Sequence, residues 1–583
     1  MFAPHCRLVA RVFAFTLVAA AFGATARAQY PITRVSVDSS GHEGDGPSGF
    51  FGVPGVLWTF GLPGTLSSDG RYVAFDGDAT NLVSGDTNLT TDVFVHDTVT
   101  GATVRVSIDS SGQESNGASY WPAISSDGRF VSFTSFADNL VASDTNKTYD
   151  IFRHDRDPDG NGILDEGNGV TERVSVDSSG KQADNASTTS SISADGVLVV
   201  FSSWANNLVA GDQNQHRDVF RRDLSTGKTT RITKGGNGDS DLPSISADGK
   251  FIAFTSDASN LVTGDTNATS DVFVYDVANQ TTTRVSVDSS GNQASGFGPS
   301  PLSDDGSVVA FTSFADNLVA GDTNATPDVF VHDLTSGATT RESVDPGGVQ
   351  SSDFSGSPSL SGDGDVVTFT RYVLEYDRYG WWYYDDFRTF ARDRAADTTL
   401  ALNVNCGGVA ADGNGMFPCV SDDGRFVAFM SFADDLVADD ANAATDVFLY
   451  DLTIVEPDAT WSNYGTGFSG TLGVPTLTMS ADPVLGTTPS LDVGNSSGTS
   501  TIGFRLVGAD SASLGTSRGG TILVDFLQIK AITLLPGGLS VAFTLPLDPA
   551  LCGVSAYVQV IELDSGVQLG LSFMFGLQAT FGK

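Results

Sequence analysis

The chain has 583 residues and carries 70 acidic side chains against 31 Lys and Arg, a formal net charge of −39. That balance excludes a nucleic-acid partner, whose phosphates need Lys and Arg to displace counterions, and disfavours an anionic membrane surface. The length is enough for a large domain and a smaller one.

Residues 1–28 read as an export signal. Arg7 and Arg11 precede the apolar run from Val12 to Phe22, and Ala26-Arg27-Ala28 before Gln29 has the small-x-small pattern of a cleavage site. No later stretch is apolar for long enough to span a bilayer as a helix, so no membrane-spanning segment is expected in the mature chain. The expected destination is extracytoplasmic: secreted, periplasmic or cell-surface-associated.

Residues 29–456 are a repeat. A Ser-x-Asp-Gly marker or near relative recurs with its aspartate at Asp69, Asp127, Asp195, Asp248, Asp305, Asp363 and Asp423. A strand-opening aspartate follows 23 residues later in every copy, at Asp92, Asp150, Asp218, Asp271, Asp328, Asp386 and Asp446. Each unit offers four short strand candidates rich in Val, Phe, Ile and Thr, with Asp-Gly as a hairpin turn and no helical period. Seven such units predict a seven-bladed β-propeller. The outer-strand phrase is missing after the seventh unit, and an orphan copy, Thr33-Arg34-Val35-Ser36-Val37, precedes the first. That orphan is expected to close the ring and leave no open edge at the seam.

The Ser-x-Asp-Gly turns, the Val-Ala-Phe-Thr-Ser strands and the Asp-Val-Phe-Val-x-Asp strands resemble the PD40 or TolB-type WD40-like propeller repeat. The resemblance covers roughly residues 30–456 and implies a propeller that serves more often as a binding scaffold than as an enzyme. The long Asn-Leu-Val-x-Gly-Asp-Thr-Asn loops depart from it.

One hairpin carries ten extra residues. The insertion at 155–166 matches a calcium-loop pattern: Asp155, Asp157 and Asp159 offer oxygens, Gly160 permits the turn, Asn161 lends its carbonyl and Glu166 closes the cage. Structural Ca2+ is the expected cofactor, the other reading being a solvated acidic insertion.

A weaker pattern, Asp-x-Asn-x-x-x-Asp, recurs as Asp86/Asn88/Asp92, Asp144/Asn146/Asp150, Asp212/Asn214/Asp218, Asp265/Asn267/Asp271, Asp322/Asn324/Asp328 and Asp440/Asn442/Asp446. These loops are either cation sites or Asx-turns that satisfy backbone donors, and the second reading is the simpler. In the sixth unit Gly380 and Trp382 replace the acid and the amide, within a stretch holding Tyr376, Tyr379, Trp381, Trp382, Tyr383 and Tyr384. Those rings are candidates for a ligand platform or for packing. Strand direction places the calcium loop on the Asp-Gly side, and the acidic and aromatic loops on the other.

No nucleophile elbow, zinc-protease helix or phosphate loop occurs. Residues 457–583 form a Gly-rich module expected to be a small β-sandwich, resembling those at the ends of secreted planctomycete-like bacterial proteins. Cys406 and Cys419 flank a glycine-rich passage and are expected to form a disulfide. The sequence thus reads as a calcium-stabilised propeller acting as a non-enzymatic binding protein for a protein, peptide or glycan. The alternative is a polysaccharide-active hydrolase or lyase using carboxylates in the propeller channel.

Overall fold

A computed structural model describes residues 31–49, 65–345, 348–376, 382–405, 409–437, 440–454, 460–464, 467, 469, 471–515, 521–543, 545, 555–566 and 571–581. The export-signal residues 1–28 lie outside these, as do Tyr379, Trp381 and Cys406. Among the described residues no helix is long and apolar enough to cross a membrane.

Antiparallel hairpins dominate because each unit alternates short β-prone runs with Asp-Gly turns. The first unit pairs Thr65–Leu66, Tyr72–Gly77, Asp92–Asp97 and Thr103–Arg105 in sequence order, and the second, third, fourth and sixth do the same. The seventh pairs Gly415–Val420, Phe426–Ser431 and Asp446–Asp451, and takes its fourth strand from Ile32–Arg34, with Ile32 opposite Tyr450 and Arg34 opposite Phe448. The fifth has only three strands, Val308–Ser313, Asp328–Asp333 and Thr339–Arg341. Its first segment contains Pro299 and Pro301, which have no N–H to donate, and it is held by isolated bridges at Phe297 and Leu302.

The apolar core sits between successive sheets. One buried cluster joins Tyr72, Val93 and Val95 of the first unit to Val131, Phe133 and Phe152 of the second. Another joins Phe75 and Phe94 of the first unit to Ala428, Val447 and Leu449 of the seventh. Gly128 shows how tight the approach is. Its φ is +76°, and a Cβ there would stand 2.1 Å from the ring of Tyr72, so only glycine fits this turn. Beyond the repeat, a six-stranded sheet and a three-stranded sheet share a cluster that includes Leu477, Leu491, Leu534, Val560 and Leu577.

Two expectations need correction. The seven-bladed propeller is not the fold class found: the chain forms an all-β, multi-sheet fold of nine separate sheets, and among the described residues no sheet closes on itself. Period-two alternation and Asp-Gly turns specify pairing within a sheet, and each sheet ends at its own outer strands with no ladder running on into the next. The expected disulfide is also absent. Cys419 is a free thiol. It stands opposite Ala428 within its hairpin and donates to its neighbour Val420 O at 3.9 Å. Burial pushes it up to about 11, with the Asp422 charge adding to the effect. The thiol is enclosed where sheets meet, beside Ser359 of the sixth unit and the Leu66 backbone of the first.

Candidate functional site

The Ser-x-Asp-Gly turns bring the units together. In each, the first serine hydroxyl donates to the marker aspartate, from Ser67 to Asp69 at 2.8 Å through Ser421 to Asp423 at 2.6 Å. The marker aspartates are thus turn acceptors. The residue between them links one turn to the next through its backbone: Ser68 N to Ser126 O, Ser126 N to Ala194 O, Ala194 N to Ala247 O, Ala247 N to Asp304 O, Asp304 N to Gly362 O and Gly362 N to Asp422 O, all at 2.8–3.1 Å. Asp423 N returns to Ser68 O at 3.2 Å and completes the circuit.

Seven side chains share this central position, and only Asp304 and Asp422 are ionisable. Asp304 is exposed and leans over Gly362, where an added Cβ would lie 2.4 Å from its carboxylate oxygen. Asp422 is half-buried and accepts from Ser126 Oγ at 3.2 Å across the intervening Ser68 turn. Burial and the Asp304 charge push Asp422 up to about 6, against the Ser126 hydrogen bond. Burial, then the charges of Asp305, Asp363 and Asp248, raises Asp304. Both carboxyls of the centre therefore hold a proton more readily than free ones, Asp422 up to about pH 6. Sequence reading passed over both residues, because the repeat was read for what its copies share. The signal was available in the variable position of the marker, where Ser, Ala and Gly give way to Asp twice.

The calcium-loop residues lie against the Asp127-Gly128 turn, since Arg156 Nη1 donates to Gly128 O at 2.6 Å. Asn161 gathers part of the expected set: its backbone N–H donates to Asp157, and its Nδ2 reaches Glu166 at 2.7 Å and Asp159 at 3.3 Å. Asp155 accepts from Asp157 N at 3.0 Å and is bound by Arg129 at 2.7 and 2.9 Å. The donors are all oxygens, which fits a hard cation, but Asp155 joins only by releasing Arg129.

The six Asp-x-Asn loops each hold a guanidinium. Arg105 lies 3.2 Å from Asp86, 3.0 Å from Asp92 and 3.1 Å from Glu114. Arg173 faces Asp144 and Asp150, Arg231 faces Asp212 and Asp218, Arg284 faces Asp265 and Asp271, and Arg341 faces Asp322 and Asp328, at 2.5–3.7 Å. Asn88, Asn146, Asn214, Asn267, Asn324 and Asn442 each donate to the strand-opening aspartate. Burial pushes Asp150 and Asp440 up to about 6. Glu43, Asp440 and Asp446 offer oxygens all within 4.8 Å of one another and could hold a metal ion, with Arg34 among them at 2.9–3.4 Å.

The sixth unit replaces the loop by a long hairpin in which Tyr376 stands opposite Trp382, Glu375 opposite Tyr383 and Leu374 opposite Tyr384. The side chains of Tyr376, Trp382, Tyr383 and Tyr384 are outside the description. Where the acid is lost at Gly380 the arginine position is also apolar, Ala401.

No family model matches the chain, and comparison with curated proteins gives no match. Among solved structures it has a distant likeness to a putative TolB from Agrobacterium tumefaciens, with 15% identity over 60% of this chain and 94% of that one, at a TM-score of 0.34. An oligogalacturonate lyase from Vibrio parahaemolyticus shows 12% identity over 72% and 93%, at 0.42. An oligogalacturonate lyase in complex with manganese shows 13% over 72% and 93%, at 0.43. Likeness at this level carries no functional argument.

Proposed function

We propose that this chain is an exported, polysaccharide-active enzyme whose reacting groups are Asp304 and Asp422. Its division would be a leader at 1–28, a repeat region at 29–456 that builds the site, and a C-terminal module at 457–583. The observation that supports this reading is the convergence of the only two ionisable side chains of seven equivalent turn positions. Asp422 is the general acid, its proton held on a carboxyl beside Ser126 and delivered to the leaving glycosidic oxygen. Asp304 is the base or nucleophile. Hydrolysis is favoured over elimination, because elimination needs a uronate carboxylate in the substrate and this acidic centre repels one.

The test is release of reducing ends from uncharged polysaccharides by the purified protein. Asp304→Asn and Asp422→Asn should each lower turnover about a hundredfold or more while leaving the unfolding midpoint nearly unchanged. Turnover should also fall as pH rises through about 6, where Asp422 loses its proton. A wild-type protein inert on every polymer, or active asparagine variants, would reject the assignment.

The oxygens gathered around Asn161 favour a second reading, a calcium-stabilised, non-enzymatic binding protein. In that case calcium raises stability and no polymer is cleaved.

A further inference from the structure

The second strand of each repeat unit ends on the side away from the Ser-x-Asp-Gly turns, and the residue at that end is aromatic in four units, Phe136, Trp204, Phe314 and Phe432, while the equivalent residue of the sixth unit, Tyr372, lies inside its longer strand Val366–Tyr376. The other two units carry Asp78 and Asp257. The backbone is the same in both cases. Phe136 N donates to Ala118 O at 2.9 Å and Phe432 N to Asn414 O at 3.0 Å, while Asp78 N donates to Pro47 O at 2.8 Å and Asp257 N to Asp239 O at 2.9 Å. The fold therefore does not require an aromatic ring here.

Three of these rings face water: Phe136 is 49% exposed, Phe314 64% and Phe432 48%. Phe136 meets the Tyr149 ring at 5.3 Å, tilted by 59°, while Phe314 is stacked 4.9 Å from Phe297, so each is steadied by a neighbouring ring. Trp204 lies under the Arg217 guanidinium at 4.6 Å. Polar side chains follow each exposed ring, Asp138-Asn139, Asp316-Asn317 and Asp434-Asp435. Carboxylates and amides thus accompany each exposed ring along the chain. A protein partner wants a contiguous apolar patch with its charges kept to the rim. Exposed rings accompanied by hydrogen-bonding groups suit sugar rings, which present an apolar face and a polar edge. The excess of acid over base excludes a polyanion.

We propose that this face is a glycan-binding surface for an uncharged polysaccharide, with Phe136, Phe314 and Phe432 as its stacking platforms. It lies at the opposite strand ends from Asp304 and Asp422 and does not depend on their being catalytic. Electrophoresis of the full chain through native gels containing hydroxyethyl cellulose, laminarin, galactomannan or glycogen tests it, with polygalacturonate as the anionic control. The wild type should be retarded in at least one neutral gel and not by polygalacturonate. Phe136→Ala/Phe314→Ala/Phe432→Ala should weaken that retardation at least tenfold. If the alanine variant fails to fold, Phe136→Asp/Phe314→Asp/Phe432→Asp copies residues the repeat already accommodates. Asp422→Asn should be retarded like the wild type, which separates this surface from the proposed active site. Absence of retardation in every neutral gel, retardation by polygalacturonate, or a triple variant that migrates like the wild type would overturn the proposal.

Discussion

Asp76 is the buried carboxyl with the most to say about stability. It sits at the end of Tyr72–Gly77, 3% exposed, accepting from Trp121 N at 3.1 Å. Burial pushes it up to about 7, against the Trp121 hydrogen bond. An acid whose folded value lies above its unfolded value of 3.8 is best tolerated while protonated. Its contribution is therefore lost as pH climbs from about 3.8 to about 7 and stays lost above that, a swing of roughly 4 kcal/mol. The equivalent strand position is Thr134, Thr255, Thr312 and Thr370 in other units. Asp76→Thr should accordingly raise the thermal midpoint at pH 8 and leave it unchanged or lower at pH 4. Thermal unfolding at both values checks this, and an equal shift at the two would show that Asp76 is not protonated in the fold. Single residues such as this, Asp304 and Asp422 were hard to read from the sequence because their chemistry comes from neighbours in other units. Cys419 illustrates the same point: glycine-rich spacing made a bridge to Cys406 plausible, whereas its free thiol has Ser359 and Leu66 of other units beside it.

At the scale of the element, the repeat was largely legible. Asp-Gly turns, Val-Phe runs and the fixed 23-residue spacing placed the hairpins, because turn chemistry and alternation are local. The fifth unit lost a strand through Pro299 and Pro301, a local signal that the repeat pattern masked. The partner of each Asp-x-Asn loop was visible only as a covariation within the chain, arginine at 34, 105, 173, 231, 284 and 341 against Ala401 in the one unit without the loop acid. The inserted loop yields a direct prediction. If calcium takes the oxygens around Asn161, saturating it about a hundredfold over its dissociation constant adds about 2.7 kcal/mol to stability. The unfolding midpoint of the wild type should then rise with calcium, and that of Glu166→Gln should rise much less. A midpoint indifferent to calcium would leave the loop a solvated acidic insertion held by Arg129 and Arg156.

Across the whole molecule, the sheets are tied through turn-to-turn hydrogen bonds and buried clusters, not through one continuous ladder. The seam between the first and seventh units depends on Ile32–Arg34. Arg34 there stands among Glu43, Asp440 and Asp446. Arg34→Met removes the cation and leaves three carboxylates crowded together, two of them nearly enclosed, which should cost about 3 kcal/mol. Because the three then compete for protons, the loss should be larger at pH 8 than at pH 5. Equal stability of variant and wild type at pH 8 would show that the seam is held by the strand alone.

The same seam sets a timetable. Arg34 meets Asp446, a partner 412 positions away, so a chain made from its N-terminus waits about 20–80 s at ordinary synthesis rates before that strand finds its place. Until then Ile32–Arg34 is an unsaturated end among half-built sheets, and the nascent protein is held back from completion by its own last repeat.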